Sequence, residues 1–203
     1  MKTILVDNKK IIPSKIICIG RNYVEHINEL GNEVPDEMVV FLKPNSAISK
    51  QLNSFHQEPL HYEGELCFVI DNGGFSAVGF GLDLTKRSLQ SQLKSKGLPW
   101  ERAKAFDGSA VFSSFVKIET VSNELSFELK INQEIIQSGD INLMMYKPTQ
   151  ILQELQSFIS LNDGDIVMTG TPKGVGVINK SDNFTAKVMH GDKVISEANW
   201  SAL

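Results

Sequence analysis

The hydrophobic pattern of the chain consists of short apolar runs that are separated by turn-forming residues. No run exceeds five residues, as at 38–42 and 66–70, and the second run is followed at once by Asp71-Asn72-Gly73-Gly74. Runs of this length bounded by Gly, Asn and Asp are typical of β-strands. Because candidate strands outnumber candidate helices, the sequence predicts a β-rich α+β fold and not a doubly wound parallel sheet.

Three helices are predicted among these strands. The first covers residues 22–30 and is stopped by Gly31, and the second covers 84–96 with Gly97 as its C-cap. The third covers 149–160, is capped by Thr149, and carries an apolar stripe at helical spacing. Candidate strands cover residues 16–19, 39–42, 62–70, 111–118, 125–131, 133–137 and 166–168, followed by a strand-rich tail that contains Gly191-Asp192.

Length and charge limit the classes of partner. The 203 residues contain no linker or repeat, so we expect one domain over residues 1–203. With 24 acidic and 20 basic side chains and no Lys/Arg block, nucleic acid is not an expected partner. No apolar run approaches the ~20 residues of a membrane span, and residues 1–10 contain no signal-peptide core. We therefore expect a cytoplasmic protein, not bound to a membrane, that acts on small molecules.

Two carboxylates, Glu63 and Glu65, occur two residues apart in a strand-like segment. On a strand they would share one face, with Cα atoms about 6.5 Å apart. The same face continues as Cys67 and Val69, so the pair enters a buried surface. Two adjacent buried carboxylates repel each other and lose hydration, and therefore need a cation or a shared proton. Mg²⁺, which prefers oxygen ligands, would meet this requirement.

A third acid, Asp83, lies between two leucines and is a candidate third ligand of the same ion. Arg87 and Gln90 follow it at helical spacing, which would place a guanidinium and an amide beside the metal, suited to a substrate carboxylate. Spacing alone leaves simpler interpretations open. Glu63 and Glu65 could lie on a solvated strand edge, and Asp83 could cap a helix.

Tyr23, His26 and Glu29 are spaced by three residues, so in a helix they would project from one face. A carboxylate beside an imidazole orients it and raises its basicity, which is the arrangement of a general base. Such pairs also occur on exposed helices, where they contribute little. Lys104 could hold a carboxylate, move a proton or be an exposed lysine. The loop 169–176 could bind an anion through its glycine N–H groups or be a structural turn.

Six motifs occur along the chain in a fixed order. They are Ile19-Gly20-Arg21-Asn22-Tyr23 with His26 and Glu29, Phe41-Leu42-Lys43-Pro44, Tyr62-Glu63-Gly64-Glu65-Leu66, Asp83 with Arg87 and Gln90, Lys104-Ala105-Phe106-Asp107-Gly108, and Thr169-Gly170-Thr171-Pro172-Lys173-Gly174-Val175-Gly176. In this order they resemble the fumarylacetoacetate hydrolase family, over a core of about 17–194. Each motif alone is common, so the resemblance rests on their order.

The resemblance implies a mixed β-sandwich roll of the family's C-terminal type, in a protein that is usually a homodimer and holds Mg²⁺ or Mn²⁺. By residue-for-residue matching, the implied metal ligands are Glu63, Glu65 and Asp83. The implied catalytic residues are His26 and Glu29, which match a water-activating pair, and Lys104 near the substrate carbonyl. The implied substrate-binding residues are Arg21, Tyr23, Arg87, Gln90 and Thr171.

The compact branch of the family acts on 2-oxo acids, so the leading hypothesis is a Mg²⁺-dependent hydrolase. It would cleave the C–C bond of acylpyruvate-like 1,3-diketo acids such as fumarylpyruvate or acetylpyruvate, with the cation stabilising the pyruvate enolate. Alternatives at the same site are an oxaloacetate decarboxylase or tautomerase and a 2-hydroxyhepta-2,4-diene-1,7-dioate isomerase. A non-catalytic 2-oxo acid binding homologue is the alternative of another class. Leu82, Ser88 and Ser113-Ser114 depart from the family pattern and leave the choice of substrate open.

Overall fold

The structure is a computed structural model of the chain that describes residues 1–29 and 36–203. The strands are β1 (Ile4–Val6), β2 (Lys9–Ile11), β3 (Lys15–Gly20), β4 (Val39–Pro44), β5 (Ile48–Ser49), β6 (Phe55–His56), β7 (Glu58–Tyr62), β8 (Gly64–Asp71), β9 (Gly74–Asp83), β10 (Thr85–Lys86), β11 (Ala110–Phe112), β12 (Val116–Lys117), β13 (Leu125–Ile131), β14 (Glu134–Asp140), β15 (Ile166–Met168), β16 (Gly176–Val177), β17 (Asn183–His190) and β18 (Lys193–Ser201). The helices are α1 (Val24–Glu29), α2 (Arg87–Ser95), α3 (Glu101–Lys104) and α4 (Pro148–Phe158), with 3₁₀ turns at Asn45–Ala47 and Ile141–Leu143.

The largest sheet is mixed and has the strand order β4-β3-β15-β8-β9-β11-β5, with β12 pairing β9 at one side. Strand β15 runs parallel to β3 and antiparallel to β8. A second sheet is antiparallel with the order β14-β13-β17-β18, and a small sheet of order β10-β7-β16 also carries β6. Strands β1 and β2 form a hairpin of their own. The β-rich mixed architecture predicted from the sequence is confirmed.

The large sheet and the second sheet pack face to face through one hydrophobic cluster. Phe68 and Phe80 of the large sheet pack with Phe127 and Phe184 of the second sheet, and all four are fully buried. Helix α4 covers the same face further along, with its residues Ile151 and Leu155 packed on the large sheet. The alternating residues of β3 and β8, which include Cys18, Cys67 and Val69, point to the opposite face. There they pack against the β1 hairpin.

Several predicted elements have the expected bounds. Strand β13 covers 125–131 and β15 covers 166–168, as predicted. The predicted start and C-cap of α2 were wrong, because residues 85–86 pair with β7 as β10 and Lys96 is the C-cap. The Gly97 N–H donates to the carbonyl of Lys94. The predicted cap of the last helix was wrong, because Lys147 is the N-cap and Pro148 is the first helical residue. The first helix begins at Val24, and its predicted end at residues 30–31 lies outside the described part of the chain.

Strand β9 was not predicted, although its ten residues form a long ladder with β8. Its glycines weaken the strand signal, and the structure shows why one of them is there. A Cβ on Gly81 would lie 2.6 Å from the Cys67 sulfur and 2.8 Å from the Phe112 ring. A side chain at this position would therefore collide with the buried face, so β9 depends on a residue that strand propensity disfavours.

The predicted strand at 62–70 is interrupted, because β7 ends at Tyr62 and β8 begins at Gly64. Glu63 therefore lies at the junction of two strands that belong to different sheets. In the part of the chain that the structure describes, no helix has the length and apolar character needed to cross a bilayer.

Candidate functional site

The three carboxylates lie side by side because β8 and β9 pair in register. Gly64 pairs with Leu82, and the Asp83 N–H donates to the Glu63 carbonyl at 2.9 Å. Glu65 pairs with Gly81, and the Cys67 sulfur and the Phe112 ring occupy the space where a Gly81 side chain would lie. One carboxylate oxygen from each of Glu63, Glu65 and Asp83 lies within 4.8 Å of the others, and the residues are 6%, 2% and 1% exposed.

Cations neutralise two of these acids. The Lys104 ammonium lies 2.9 Å from Glu63 Oε2 and 2.6 Å from Asp83 Oδ2, and it also donates to Thr85 Oγ1 at 2.6 Å. The Lys43 ammonium lies 2.7 Å from Asp83 Oδ1. Arg87 Nη2 donates to Glu63 Oε1 at 2.5 Å. Glu63 and Asp83 are thus held by positive charges from a strand and two helices.

These contacts control the protonation of the groups involved. Burial raises the pKa of Glu63, but Lys104 and Arg87 outweigh it and hold that pKa well below the usual range. Burial lowers the pKa of Lys104, yet Asp83 and Glu63 raise it above the ordinary lysine value. Lys104 is therefore a fixed ammonium ion near neutral pH and does not serve as a base.

Glu65 is the acid of the cluster that forms no ion pair within the described residues. Its Oε2 accepts the Gly170 N–H at 2.6 Å, and in residues 1–29 and 36–203 no lysine, arginine or histidine forms an ion pair with it. Burial, followed by the charges of Asp83 and Glu63, raises the pKa of Glu65 well above the ordinary glutamate value. The ionised form of Glu65 therefore needs a further positive charge that the described residues do not provide.

The donor set fits a hard divalent cation. Glu65 supplies an uncompensated carboxylate, and Asp83 Oδ1 is buried without a directed hydrogen bond from any described group, despite its approach to Lys43. Mg²⁺ and Mn²⁺ take oxygen ligands of this kind in proteins. Three carboxylate oxygens that can reach one point form a candidate metal centre.

His26 and Glu29 lie together beside this cluster. His26 Nδ1 is 3.1 Å from Glu29 Oε2, and the other oxygen of Glu29 accepts the Gly174 N–H at 2.9 Å. His26 is 6% exposed, and the Glu29 side chain is 32% exposed. The pair has the geometry of an oriented imidazole whose second nitrogen, Nε2, is left for a substrate or a water molecule.

The glycine-rich loop 169–176 binds anions that belong to the protein itself. The Gly170 N–H holds Glu65, and the Gly174 N–H holds Glu29. Gly174 has φ +95°, and a Cβ there would lie 2.2 Å from the Ile136 carbonyl oxygen, so no other residue fits. The loop therefore couples the candidate metal centre to the His26 pair.

A narrow cavity lies between these groups, with about 30 Å³ open to a water-sized molecule. Entry of a molecule larger than water therefore requires the side chains around the cavity to move. Of the predicted site residues, the cavity is lined by Arg21, His26, Glu63, Glu65, Asp83, Arg87, Gln90 and Lys104. The lining also includes residues to which the sequence assigned no role, which are Ile19, Gly20, Ile27, Phe41, Lys94 and Trp100.

Two predicted substrate-binding residues are not part of this lining. Tyr23 is 2% exposed, packs in the core between the two sheets, and donates from its hydroxyl to the Asp140 carbonyl at 3.3 Å. Thr171 is buried, and its hydroxyl oxygen accepts from Gln137 Nε2 at 2.9 Å. Their proposed contact with substrate therefore stays a prediction from the resemblance.

The simpler interpretations of several residues were wrong. Glu63 and Glu65 are not on a solvated edge, because both are buried. Asp83 is the last residue of β9 and does not cap a helix, since Lys86 is the N-cap of α2. Lys104 is 2% exposed and is not a surface lysine.

Two supporting residues received no role from the sequence, although Lys43 lies in one of the six motifs. Lys43 is fully buried in β4, where its ammonium also donates to the carbonyls of Lys104 and Ser109. Its signal was a charged residue inside an apolar strand. Gln137 is 1% exposed on β14, and its Oε1 accepts the Gly64 N–H at 2.9 Å while its Nε2 donates to Thr171. No local pattern marks Gln137, because its role depends on the packing of the second sheet.

Comparisons with known proteins agree on one group of relatives. The family model described as fumarylacetoacetate hydrolase C-terminal matches residues 15–200. The chain is 36% identical to the mitochondrial oxaloacetate tautomerase of Homo sapiens over 196 residues, covering 87% of each protein. It is 34% identical to the oxaloacetate tautomerase of Escherichia coli strain K12 over 190 residues, covering 85% of this chain and 87% of that protein.

Solved structures share the fold. A protein from Oleispira antarctica, described as a candidate fumarylacetoacetate isomerase/hydrolase, has a TM-score of 0.92 and 31% identity, with 100% of both chains covered. Fumarylpyruvate hydrolase from Pseudomonas aeruginosa, solved in complex with Mn²⁺ and pyruvate, has a TM-score of 0.89 and 26% identity. That superposition covers 100% of this chain and 95% of the other.

Proposed function

The chain belongs to the fumarylacetoacetate hydrolase family, and on that basis we propose that it is a divalent-metal-dependent enzyme that interconverts the keto and enol forms of oxaloacetate. The curated relatives named above carry this activity in their names. The observation that supports it most is the buried cluster of Glu63, Glu65 and Asp83, in which Glu65 has no cation of its own among the described residues. The names of these relatives favour tautomerisation of oxaloacetate, which the sequence predicted as an alternative to the hydrolysis of acylpyruvates.

In this proposal Glu63, Glu65 and Asp83 hold Mg²⁺ or Mn²⁺, which when bound supplies Lewis-acid stabilisation of negative charge on a 2-oxo group. Arg87 and Gln90 bind the adjacent substrate carboxylate. Arg87 is already shared between Glu63 and Gln90, at 2.5 Å and 2.9 Å, and its Nε is buried without a partner in the described structure. A planar guanidinium fixed in this way is preorganised for a carboxylate ligand.

His26 moves the proton. With Nδ1 held by Glu29, its Nε2 takes a proton from C3 of the keto form and returns it to the 2-oxygen, which gives the enol without any co-reactant. Lys104, kept positively charged by Asp83 and Glu63, lies beside the reacting carbonyl and stabilises charge without exchanging its own proton.

A second candidate function is hydrolysis of acylpyruvates, the leading hypothesis from the sequence. The His26–Glu29 pair favours it, because Glu29 is partly exposed and water has access to the pair. The fumarylpyruvate hydrolase structure shares the fold over the whole chain. Decarboxylation of oxaloacetate at the same site is distinguished by its product.

We also propose Mg²⁺ as the metal in the cell, a homodimer as the assembly and the cytoplasm as the location. Metal preference is measured by calorimetry with Mg²⁺ and Mn²⁺, and assembly by light scattering during gel filtration. A mass of about twice 22.5 kDa supports the dimer, and a monomer mass overturns it. Location is measured by fractionation of the source cells.

The test of the proposed function follows the decay of the oxaloacetate enol by absorbance with Mg²⁺ present, while pyruvate and CO₂ are assayed in parallel. Acceleration of the decay without pyruvate release supports tautomerisation. Pyruvate with CO₂ from oxaloacetate indicates decarboxylation, and pyruvate with acetate from acetylpyruvate indicates hydrolysis. No turnover of either substrate contradicts the proposal.

His26→Gln tests the assigned proton carrier. We expect kcat to fall about 100-fold, because the general base is lost, while Mg²⁺ affinity is unchanged. His190→Gln is the matched control, since His190 is exposed and lies 3.6 Å from Glu124 at a distant turn. If both variants keep wild-type kcat, His26 has no role in the reaction.

A further inference from the structure

Lys94 lies on the same helix face as the substrate-binding candidates. Arg87, Gln90 and Lys94 follow one another along α2 at positions i, i+3 and i+7, and all three line the narrow cavity. Lys94 is half-buried. Unlike Lys43 and Lys104, it forms no ion pair with a carboxylate of the described chain. The cavity thus contains a cation that the mechanism above does not use.

Two aromatic rings form one wall of the cavity and separate the two lysines. The Lys104 ammonium lies 5.2 Å from the centre of the Phe41 ring, and the Lys94 ammonium lies 4.9 Å from the centre of the Trp100 ring. The two ring centres are 5.9 Å apart. Lys104 therefore marks the end of the wall at the carboxylate cluster, and Lys94 marks the other end.

The charges around Lys94 are unfavourable for a lone ammonium ion. Burial, together with the positive charges of Arg21, Arg87 and Lys104, lowers the pKa of Lys94 to about 8, and the charge of Glu63 only partly opposes this. A half-buried cation among other cations is costly unless an anion joins it. An anionic ligand in the cavity would remove this cost.

We propose that Lys94 binds the second carboxylate of a dicarboxylic 2-oxo acid, and so selects dicarboxylates over monocarboxylic analogues. The inference rests on the proposed function, because Arg87 and the metal-ligand candidates must take the 2-oxo acid end. The Phe41 and Trp100 rings, tilted by 57° to each other, would lie along the carbon chain between the two ends. The flexible stem of Lys94 also allows it to move as the narrow cavity admits the ligand.

The test uses two ligands that differ only at the distal end. Oxaloacetate and 2-oxobutyrate each have four carbons, and oxaloacetate has a carboxylate where 2-oxobutyrate has a methyl group. Calorimetry with the Mg²⁺-loaded protein measures their dissociation constants. In Lys94→Met, which keeps an apolar stem over Trp100, we expect oxaloacetate to bind about 10-fold more weakly and 2-oxobutyrate within about twofold of wild type.

Control variants separate charge from structure. Lys94→Arg keeps the positive charge, so oxaloacetate affinity should stay within about threefold of wild type. Lys96→Met removes an exposed lysine just beyond the end of α2 and should change neither ligand's affinity. If Lys94→Met lowers the melting temperature, Lys94→Gln takes its place as the uncharged variant. The affinities of Lys94→Gln for the two ligands are then compared with those of Lys94→Arg.

The outcomes distinguish this inference from the proposed function. Equal weakening of both ligands, or no weakening of either, overturns the role of Lys94 even if the wild type turns over oxaloacetate. Selective weakening of oxaloacetate supports Lys94 even if the wild type shows no tautomerisation, in which case the proposed function fails alone.

Discussion

Two buried carboxylates, Asp165 and Glu65, differ in the number of hydrogen-bond donors that surround them. Asp165, which is fully buried, accepts hydrogen bonds from the N–H and hydroxyl of Ser14, the N–H and ammonium of Lys15, and the N–H of Asn162. Burial raises its pKa, but these donors outweigh it and leave the pKa below the ordinary aspartate value. Through these hydrogen bonds Asp165 connects the start of β3 with the turn before β15.

Glu65 is buried to nearly the same extent, but among the described residues its carboxylate accepts one N–H, from Gly170, and its pKa is raised. The two acids are close in burial and differ in how many donors their own chain supplies. The oxygens of a structural buried carboxylate accept hydrogen bonds from several nearby donors. Glu65 has one such donor among the described residues and lies beside two other acids. This difference is the observation on which the proposal of a bound divalent cation rests.

The largest effect is expected from Glu65→Gln. Replacing the carboxylate by an amide removes a charged ligand, and we expect Mg²⁺ affinity to fall at least about 100-fold in a calorimetric titration. Without metal the variant should be as stable as wild type or more so, because a like-charge contact with Glu63 and Asp83 is lost. Retained Mg²⁺ affinity, or a large loss of metal-free stability, would contradict the comparison.

Asp165→Asn should give the opposite result. The amide nitrogen cannot accept hydrogen bonds from the donors that face it, so we expect the free energy of unfolding to fall by about 3 kcal/mol and the melting temperature by about 9 °C. Mg²⁺ affinity should be unchanged. Because the folded-state pKa of Asp165 is lowered, its contribution is complete above about pH 5 and disappears as the pH falls through that pKa.

Denaturant unfolding of both proteins between pH 7 and pH 2 checks this pH dependence. The stability difference between wild type and Asp165→Asn should be constant above about pH 5 and should shrink on acidification. A difference that does not change with pH would mean that the charge of Asp165 contributes nothing to the fold.

The smallest effect concerns the cations. Lys15 has Asp165 as a partner at 2.5 Å, whereas Lys94 has no carboxylate partner in the described structure. Lys94 faces Arg21, Arg87, Lys104 and Glu63, and its pKa of about 8 means that it loses its charge as the pH rises past 8. Oxaloacetate should therefore bind about fivefold more weakly at pH 9 than at pH 7.

Binding of 2-oxobutyrate measured at the same two pH values corrects for pH effects on the groups that hold the 2-oxo acid end of the ligand. Lys94→Arg should bind oxaloacetate with no such decline, because its guanidinium stays charged. An equal decline in the arginine variant would assign the pH dependence to another group.

The sequence predicted those parts of the molecule that local spacing determines. Glu63 and Glu65 were found because alternation along a strand is local, and the helix of Arg87 and Gln90 because its period is local. Strand β9 was missed because its glycines are required by contacts with Cys67 and Phe112 from other strands. Lys43 and Gln137 were given no role for the same reason, since their partners lie at least 40 and 34 residues away in the chain.

The cluster of Glu63, Glu65 and Asp83 is tested most directly by an anomalous difference map from a crystal soaked with Mn²⁺ and oxalate. The account predicts one strong peak within coordination distance of a carboxylate oxygen from each of the three acids, with oxalate density on its open side. A map with no peak at this cluster, or with its strongest peak elsewhere on the protein, would contradict the assignment.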